Sequence, residues 1–306
     1  MIKPSKLKLG DTIGVVAPSD PIMDKSIDEI NTAKQMIEDA GFKVRFSKNM
    51  FLRTNIYSST AKEKAKDIND MFADKEIKMI WCAKGGENSN SLFEYLDYEM
   101  IKENPKIICG YSDITSITNI ISEKSELVSF SGTNFKTIAT DETDYSYKEI
   151  MKRFVGGNLD LGTKEDKYVT IRKGVAEGML IGGNLSLIRG LVSGKYSINF
   201  DNKILFLEEL GMETGPALAS NFLYYLKQNN VFDKISGLWL GNYEHESGIS
   251  IEKILLDTIG DEYNFPIIKS NNFGHIEKKT VIPIGIKARI DTNNEIKMKL
   301  LETCLI

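Results

Sequence analysis

Histidine and cysteine are both scarce in this 306-residue chain, which has two of the first, three of the second and no CxxC pair. A hydrolase built on this sequence therefore has only His245 and His275 as candidates for an imidazole base. Cys82 and Cys109 end apolar strand-like runs and Cys304 lies in an apolar tail, so all three read as buried free thiols. Cys109 precedes Ser112 by three residues, but a thiol aimed into the packed face of a strand is not a nucleophile. No stretch reaches the roughly 18 apolar residues of a membrane span. Met1 to Gly10 carries lysines without a following apolar run of signal-peptide length, so the expected location is the cytoplasm, away from membranes. The formal net charge of -4 comes from interspersed lysines and acids. Without a basic stripe to neutralise phosphates, nucleic acid is excluded as a partner. Neither GxGxxG nor GxxxxGK[ST] occurs, which argues against a phosphate-binding loop, and there is no internal repeat or low-complexity tract.

What is present describes a folded protein of two domains. Hydrophobic residues make up 42% and charged residues 27%, enough for two cores, and the length suits two domains of about 100–200 residues each. The first half alternates strands and helices. Ile13 to Ala17 is a β-branched run followed by a loop and a helical pattern, Ile27, Ile30, Ala33, Ile37, ending at Gly41. A helix is predicted over Ala61 to Phe72, then a strand Ile77 to Cys82, the loop Ala83 to Asn88 and a short helix through Leu92 and Tyr95. The strand Lys106 to Cys109 enters the turn Gly110-Tyr111-Ser112-Asp113 and a helix from Ile114 to about Ser122. Strands apolar throughout, rather than at every second residue, indicate a parallel sheet covered on both faces. Residues 1–150 are therefore expected to form a doubly wound, flavodoxin-like α/β domain. The polar segment 137–165, with Gly156-Gly157-Asn158 and Gly162-Thr163-Lys164, is expected to mark the boundary. Residues 165–306 are then a smaller, β-rich domain. Its strands are expected near 169–171, 175–181, 203–207, 235–240, 266–268, 281–284 and 296–301, with helices at 185–191 and 217–227.

Chemistry concentrates at three places. Ser112 stands where a buried strand turns directly into a helix, the geometry of a nucleophile elbow. Such a turn lifts the hydroxyl above the sheet edge and offers helix N-terminal amides, including that of Asp113, to an oxyanion. The same serine can instead simply cap the helix. Gly85-Gly86 also follows a strand and can bring a backbone amide close to a ligand, or can be an ordinary turn. His275 follows Asn271-Asn272-Phe273-Gly274 in a loop where the glycine permits exposure. His245 is flanked by Glu244 and Glu246, which favour the imidazolium and make a poorer base, so His275 is preferred. Leu205-Phe206-Leu207-Glu208-Glu209 ends an apolar strand on two acids that alternation sends to opposite faces, and either can orient the base.

In order and spacing these segments resemble the LD-carboxypeptidase family of serine peptidases, and within it the microcin C self-immunity subgroup, over essentially the whole chain. The resemblance runs from Leu9-Gly10-Asp11-Thr12-Ile13-Gly14-Val15-Val16-Ala17-Pro18-Ser19 through Gly85-Gly86-Glu87-Asn88-Ser89-Asn90 and Leu96-Asp97-Tyr98. It continues over Asn104-Pro105-Lys106, Gly110 to Thr115, Gly182-Gly183-Asn184-Leu185, Leu205 to Glu209, Phe273-Gly274-His275 and Pro283-Ile284-Gly285. It implies a catalytic triad of Ser112, His275 and Glu208, an oxyanion hole on the amides of Gly86 and Asp113, and a site between the two domains. Substrate contacts are expected from Gly85, Asn88 and Asn184. It further implies a homodimer that uses no metal or organic cofactor, with a swivelling-type β/α second domain.

Substrate is where the resemblance divides. LD-carboxypeptidases trim D-alanine from murein tetrapeptides, whereas the immunity subgroup cleaves the amide between an aminoacyl group and a nucleotide-like toxin. Gly86 to Asn90 and Asn104 to Thr115 look like the immunity subgroup, and Gly182 to Leu185 like the general carboxypeptidase pattern. Ala217-Leu218-Ala219-Ser220-Asn221 lacks the arginine and tyrosine of many relatives, which leaves the pocket assignments of that stretch, including any role for Glu213, open; the roles of Glu209 and His245 are open as well. A small peptide or an aminoacyl-nucleotide is the expected substrate. The alternative from another class is a non-enzymatic small-molecule binding protein on a two-domain α/β scaffold.

Overall fold

Runs of wholly buried apolar residues set the first sheet. The computed structural model describes residues 1–53, 58–162 and 166–306, so Thr163, Lys164 and Glu165, at the expected domain boundary, lie outside the described residues. Strand β1 (Thr12–Val16) is buried at every position and is followed by helix α1 (Asp24–Asp39), which buries Ile30, Ala33 and Ile37 on one face. Next come the strand β2 (Lys43–Phe46), helix α2 (Ala61–Ala73) and strand β3 (Ile77–Cys82). Helix α2 starts at a reciprocal capping box, with Thr60 and Glu63 each bonding the other's backbone N–H. Helix α3 (Tyr98–Glu103), strand β4 (Ile107–Gly110), helix α4 (Thr115–Ser125) and strand β5 (Ser129–Ser131) complete the alternation. All four pairings among β1 to β5 are parallel. The sheet order is Ile282–Ile284, β5, β4, β3, β1, β2. Apart from the added edge strand this is the flavodoxin order, with its switch point between β1 and β3.

The polar stretch after residue 137 holds more structure than its composition suggests. Helices α5 (Thr137–Thr140) and α6 (Tyr145–Ile150) lie there, followed by a wide helical turn, Met151–Val155. The acidic residue Asp141 serves the backbone: its carboxylate accepts from Thr143 N at 2.9 Å and from Ser146 N at 2.6 Å. A side chain that captures local N–H groups orders a segment that reads as a linker.

The second sheet is mixed. Strand β6 (Tyr168–Arg172) precedes β7 (Val175–Asn184), helix α7 (Leu185–Ile188), strand β8 (Ile204–Glu208), helix α8 (Pro216–Gln228) and helix α9 (Val231–Lys234). Strand β9 (Gly237–Leu240), helix α10 (Ile251–Ile259) and strand β10 (Ile267–Ser270) follow. After β11 (Ile282–Ile284), which belongs to the first sheet, come β12 (Lys287–Asp291) and β13 (Met298–Leu300). The order is β13, β12, β7, β8, β9, β10, β6, with β7 to β10 parallel and the outer pairs antiparallel. Helix α10 is capped by Ser250 and packs against α8.

Two compact units result. The first contains Met1–Asn158, Val281–Pro283 and Cys304–Ile306, and the second contains Leu159–Thr280 and Ile284–Thr303. The two short returns fall inside the region expected to be purely C-terminal. Pairing explains them: β11 extends the first sheet beside β5, and Ile306 exchanges backbone bonds with Pro4 and Lys6 at 3.0 and 2.9 Å.

Candidate active site

At the carboxyl edge of the first sheet, three successive loops converge on Ser112. Ser112 follows β4 with φ of +65°, a left-handed conformation that a serine adopts at a cost. A strained, half-buried serine at the strand-to-helix turn has the backbone of an elbow rather than of an ordinary cap, whose residue is extended. Tyr111 N donates to Asn134 Oδ1 at 3.1 Å, pinning the approach to the turn. Gly85 lies against the serine: a Cβ there would sit 3.0 Å from Ser112 Cβ and 3.3 Å from its Oγ. The loop from Gly86 onward crosses Asp20, whose Oδ1 accepts from Glu87 N at 3.1 Å.

Asp113 is buried and turned away from solvent. Its Oδ2 accepts from Ser19 Oγ at 2.5 Å and from Ser89 N at 2.9 Å, while its carbonyl accepts from Ser89 Oγ at 2.7 Å. Side chain and main chain of one residue are thereby held by the loops after β1 and β3. The effect is to anchor Asp113, whose N–H belongs to the expected oxyanion hole, through its side chain and its own carbonyl. Burial raises the Asp113 carboxyl above the usual carboxylate range, opposed by these bonds and by the charge of Lys64.

In the second unit, Glu208 ends strand β8, Glu209 follows it, and the two acids take different partners. Glu208 Oε2 lies 2.7 Å from His275 Nδ1, with only 5% and 13% of the two side chains exposed. Gly274 makes this approach possible: its φ is +116°, and a Cβ would sit 3.1 Å from Glu208 Cβ. Burial alone pulls His275 down. The hydrogen bond and charge of Glu208, helped by Glu209, outweigh burial and the opposing charge of Lys279, so the imidazole is held above its ordinary value of 6.5. Glu209 turns the other way, accepting from Asn184 Nδ2 at 3.0 Å, Ser186 N at 2.9 Å and Leu210 N at 2.8 Å. Desolvation raises its carboxyl despite these bonds.

The remaining candidates have other occupations. Asn184 is buried, and its two polar atoms engage Glu209 and Ser186, so it supports the second acid. Asn88 Oδ1 accepts from Lys64 Nζ at 3.1 Å and from Ser91 Oγ at 2.8 Å. His245 faces its own turn, with Nδ1 2.8 Å from Ser247 Oγ, and Glu213 is exposed. All three thiols are buried, and burial raises each of them, Cys82 and Cys109 most strongly. Sequence reasoning passed over Ser19, Ser89, Lys64 and Lys279. Lys64 left a signal: it interrupts the buried stripe Ala65, Ile68, Met71, Phe72 of α2 with a charge. Among the described residues no group of three or more His, Cys, Asp or Glu is placed to hold a metal ion, and no helix is long and apolar enough to cross a membrane.

The first unit thus carries a strained serine at a sheet edge, and the second a buried carboxylate bonded to an imidazole. Comparison with known proteins gives the family. Residues 13–132 match the LD-carboxypeptidase N-terminal domain and residues 177–290 the LD-carboxypeptidase C-terminal domain, so the chain belongs to the S66 peptidase family. It is 30% identical to a probable murein peptide carboxypeptidase of Bacillus subtilis, over 95% of this chain and 92% of that one. It is 29% identical to the microcin C7 self-immunity protein MccF of Escherichia coli, over 94% and 93% of the two chains. The solved structure of MccF in complex with aspartyl sulfamoyl adenosine superposes with a TM-score of 0.89 at 26% identity, covering 100% of both chains.

Proposed function

We propose that this member of the family is a serine peptidase that hydrolyses an amide bond near a free carboxylate, with Ser112 as nucleophile, His275 as base and Glu208 as its orienter. The observation that carries the reading is the 2.7 Å contact between His275 Nδ1 and Glu208 Oε2. It fixes the tautomer with the proton on Nδ1 and leaves Nε2 to act as base. In the proposed reaction Nε2 takes the Ser112 hydroxyl proton as Oγ attacks the amide carbonyl. The amides of Gly86 and Asp113 receive the developing oxyanion. Collapse breaks the C–N bond, the imidazolium hands its proton to the departing amine, and a water activated by the same imidazole releases the acyl group from Ser112.

The relatives define two substrate classes to test, a murein tetrapeptide and an aminoacyl-nucleotide. Wild type and Ser112→Ala are incubated with a murein tetrapeptide and with aspartyl sulfamoyl adenosine, and products are separated by mass. Wild type is expected to release D-alanine from the first or aspartate from the second, and unequal turnover chooses the class. Ser112→Ala releases neither. Binding of either compound without any turnover by wild type would identify a binding protein and end the hydrolase reading. The same proposal includes a cytoplasmic homodimer that needs no metal. Turnover unchanged by a chelator, a dimer mass in sedimentation and recovery in the cytosolic fraction of lysed cells test those three parts.

A further inference from the structure

Helix α2 sends a lysine into the region behind the elbow. Lys64 is only 2% exposed, and its Nζ donates to Asn88 Oδ1 at 3.1 Å. A buried ammonium is costly without compensating charge, and the anions acting on Lys64 are Asp113 first and Asp20 second. Asp113 has the converse need. Its Oδ2 is bonded twice, but among the described residues its buried Oδ1 has no hydrogen-bond partner. Each charge favours the ionised form of the other, although burial still lowers Lys64 and raises Asp113.

The neighbours show what this pair holds. Asn88 stands at φ of +76° at the start of the turn Ser89–Leu92, so fixing its amide fixes the loop that follows Gly85-Gly86. Asp113 is the residue after Ser112, and its carboxylate is the acceptor for Ser89 N. One cation is thus bonded to the first of the two stretches of backbone whose amides are proposed for the oxyanion, and its charge acts on the second.

We propose that Lys64 is a positioning residue for catalysis: its buried ammonium, bonded to Asn88 and compensating Asp113, holds the Gly85–Ser89 loop and the Ser112 elbow in register. This rests on the reading of Ser112 as nucleophile. It also assigns Asn88 to the support of the loop and not to substrate contact. In this role Lys64 acts through Asn88 and Asp113 rather than on the substrate. Its loss should therefore appear in kcat and leave KM little changed, because misplacing the donors weakens the transition state more than the ground state.

The test compares full-length wild type, Lys64→Met, Lys64→Arg, Asn88→Gly and Ser112→Ala. Two readouts are used: steady-state hydrolysis of whichever of the murein tetrapeptide and aspartyl sulfamoyl adenosine wild type cleaves, and amide hydrogen exchange. Lys64→Met is expected to lower kcat by roughly 10–100-fold, the scale of a small displacement of reacting groups. Lys64→Arg keeps the charge and recovers most of that loss. Asn88→Gly preserves the left-handed backbone, removes the acceptor and lowers kcat with unchanged KM; it carries the test if Lys64→Met does not fold. Exchange should quicken in residues 84–92 and 110–114 of Lys64→Met and Asn88→Gly, and stay unchanged in residues 204–240. A wild-type kcat in the folded variants, a rise in KM alone, or unaltered exchange in the two loops overturns the proposal. If Ser112→Ala keeps wild-type turnover, the nucleophile assignment fails instead, and the exchange data still decide the role of Lys64.

Discussion

His275 Nδ1 meets Glu208 Oε2 at 2.7 Å across a gap that only a glycine at position 274 leaves open. The carboxylate raises the imidazole above its ordinary value of 6.5. A base works unprotonated, so hydrolysis should rise with pH through an inflection above that value. In Glu208→Gln the amide can still accept from Nδ1–H, but the charge is gone. The inflection should move to lower pH and kcat should fall by roughly 10²–10⁴-fold. The pH dependence of kcat for the two proteins checks both parts.

Gly274→Ala imposes a side chain at φ of +116°, where a Cβ would crowd Glu208 at 3.1 Å. The strain should cost about 1–3 kcal/mol of stability. Urea unfolding measures that, and a fall in kcat larger than any rise in KM in the folded variant would show that the His275 ring has moved.

The Ser112 backbone gives a prediction independent of any substrate. At φ of +65° an alanine retains the strain and a glycine relieves it. Ser112→Gly should therefore be more stable than Ser112→Ala by about 1 kcal/mol, after the greater chain entropy of unfolded glycine is counted. Equal urea midpoints for the two variants would contradict a strained elbow.

Asp141 connects acidity to folding. Its bonds to Thr143 and Ser146 outweigh burial and draw its carboxyl down to about 2. A value depressed below the unfolded one, about 3.9, contributes stability that is fully present above the unfolded value and disappears as pH falls through the folded value. Asp141→Asn should flatten the loss of stability between about pH 4 and pH 2, as read from urea midpoints across that range.

The thiols should be silent. Cys82, Cys109 and Cys304 are buried, and burial raises all three above the usual thiol range. A disulfide reagent should leave native hydrolysis intact and titrate them only after unfolding.

Much of the first sheet was legible because a strand buried on both faces is written as a nearly continuous apolar run, as β1 and β4 are and as β3 is but for the exposed Lys78. Strands at or next to a sheet edge carry no such mark. Lys43–Phe46 alternates exposed and half-buried positions, and Lys287–Asp291 alternates exposed or half-buried positions with buried ones, so tertiary pairing defines both. Helix α10 was also missed, although Ser250 caps it and Ile254, Leu255 and Ile259 form its buried stripe. In the candidate site, scarcity narrowed the base to His245 and His275, the acids flanking His245 favoured His275, and strand alternation predicted that Glu208 and Glu209 take different partners, as they do. The residue pattern alone left open which acid meets the histidine, and only the resemblance pointed to Glu208, because the choice depends on how the loop at Gly274 folds back on β8. Lys64 was hidden for a similar reason: the residues that make its burial tolerable, Asn88 and Asp113, lie 24 and 49 positions further along the chain.

The most direct measurement is the turnover number of Ser112→Ala against wild type, on the substrate that wild type cleaves, with circular dichroism confirming the fold of both. The account predicts a loss of roughly 10³-fold or more, the scale on which removal of a nucleophile acts. A Ser112→Ala enzyme that folds and turns over at the wild-type rate would contradict it.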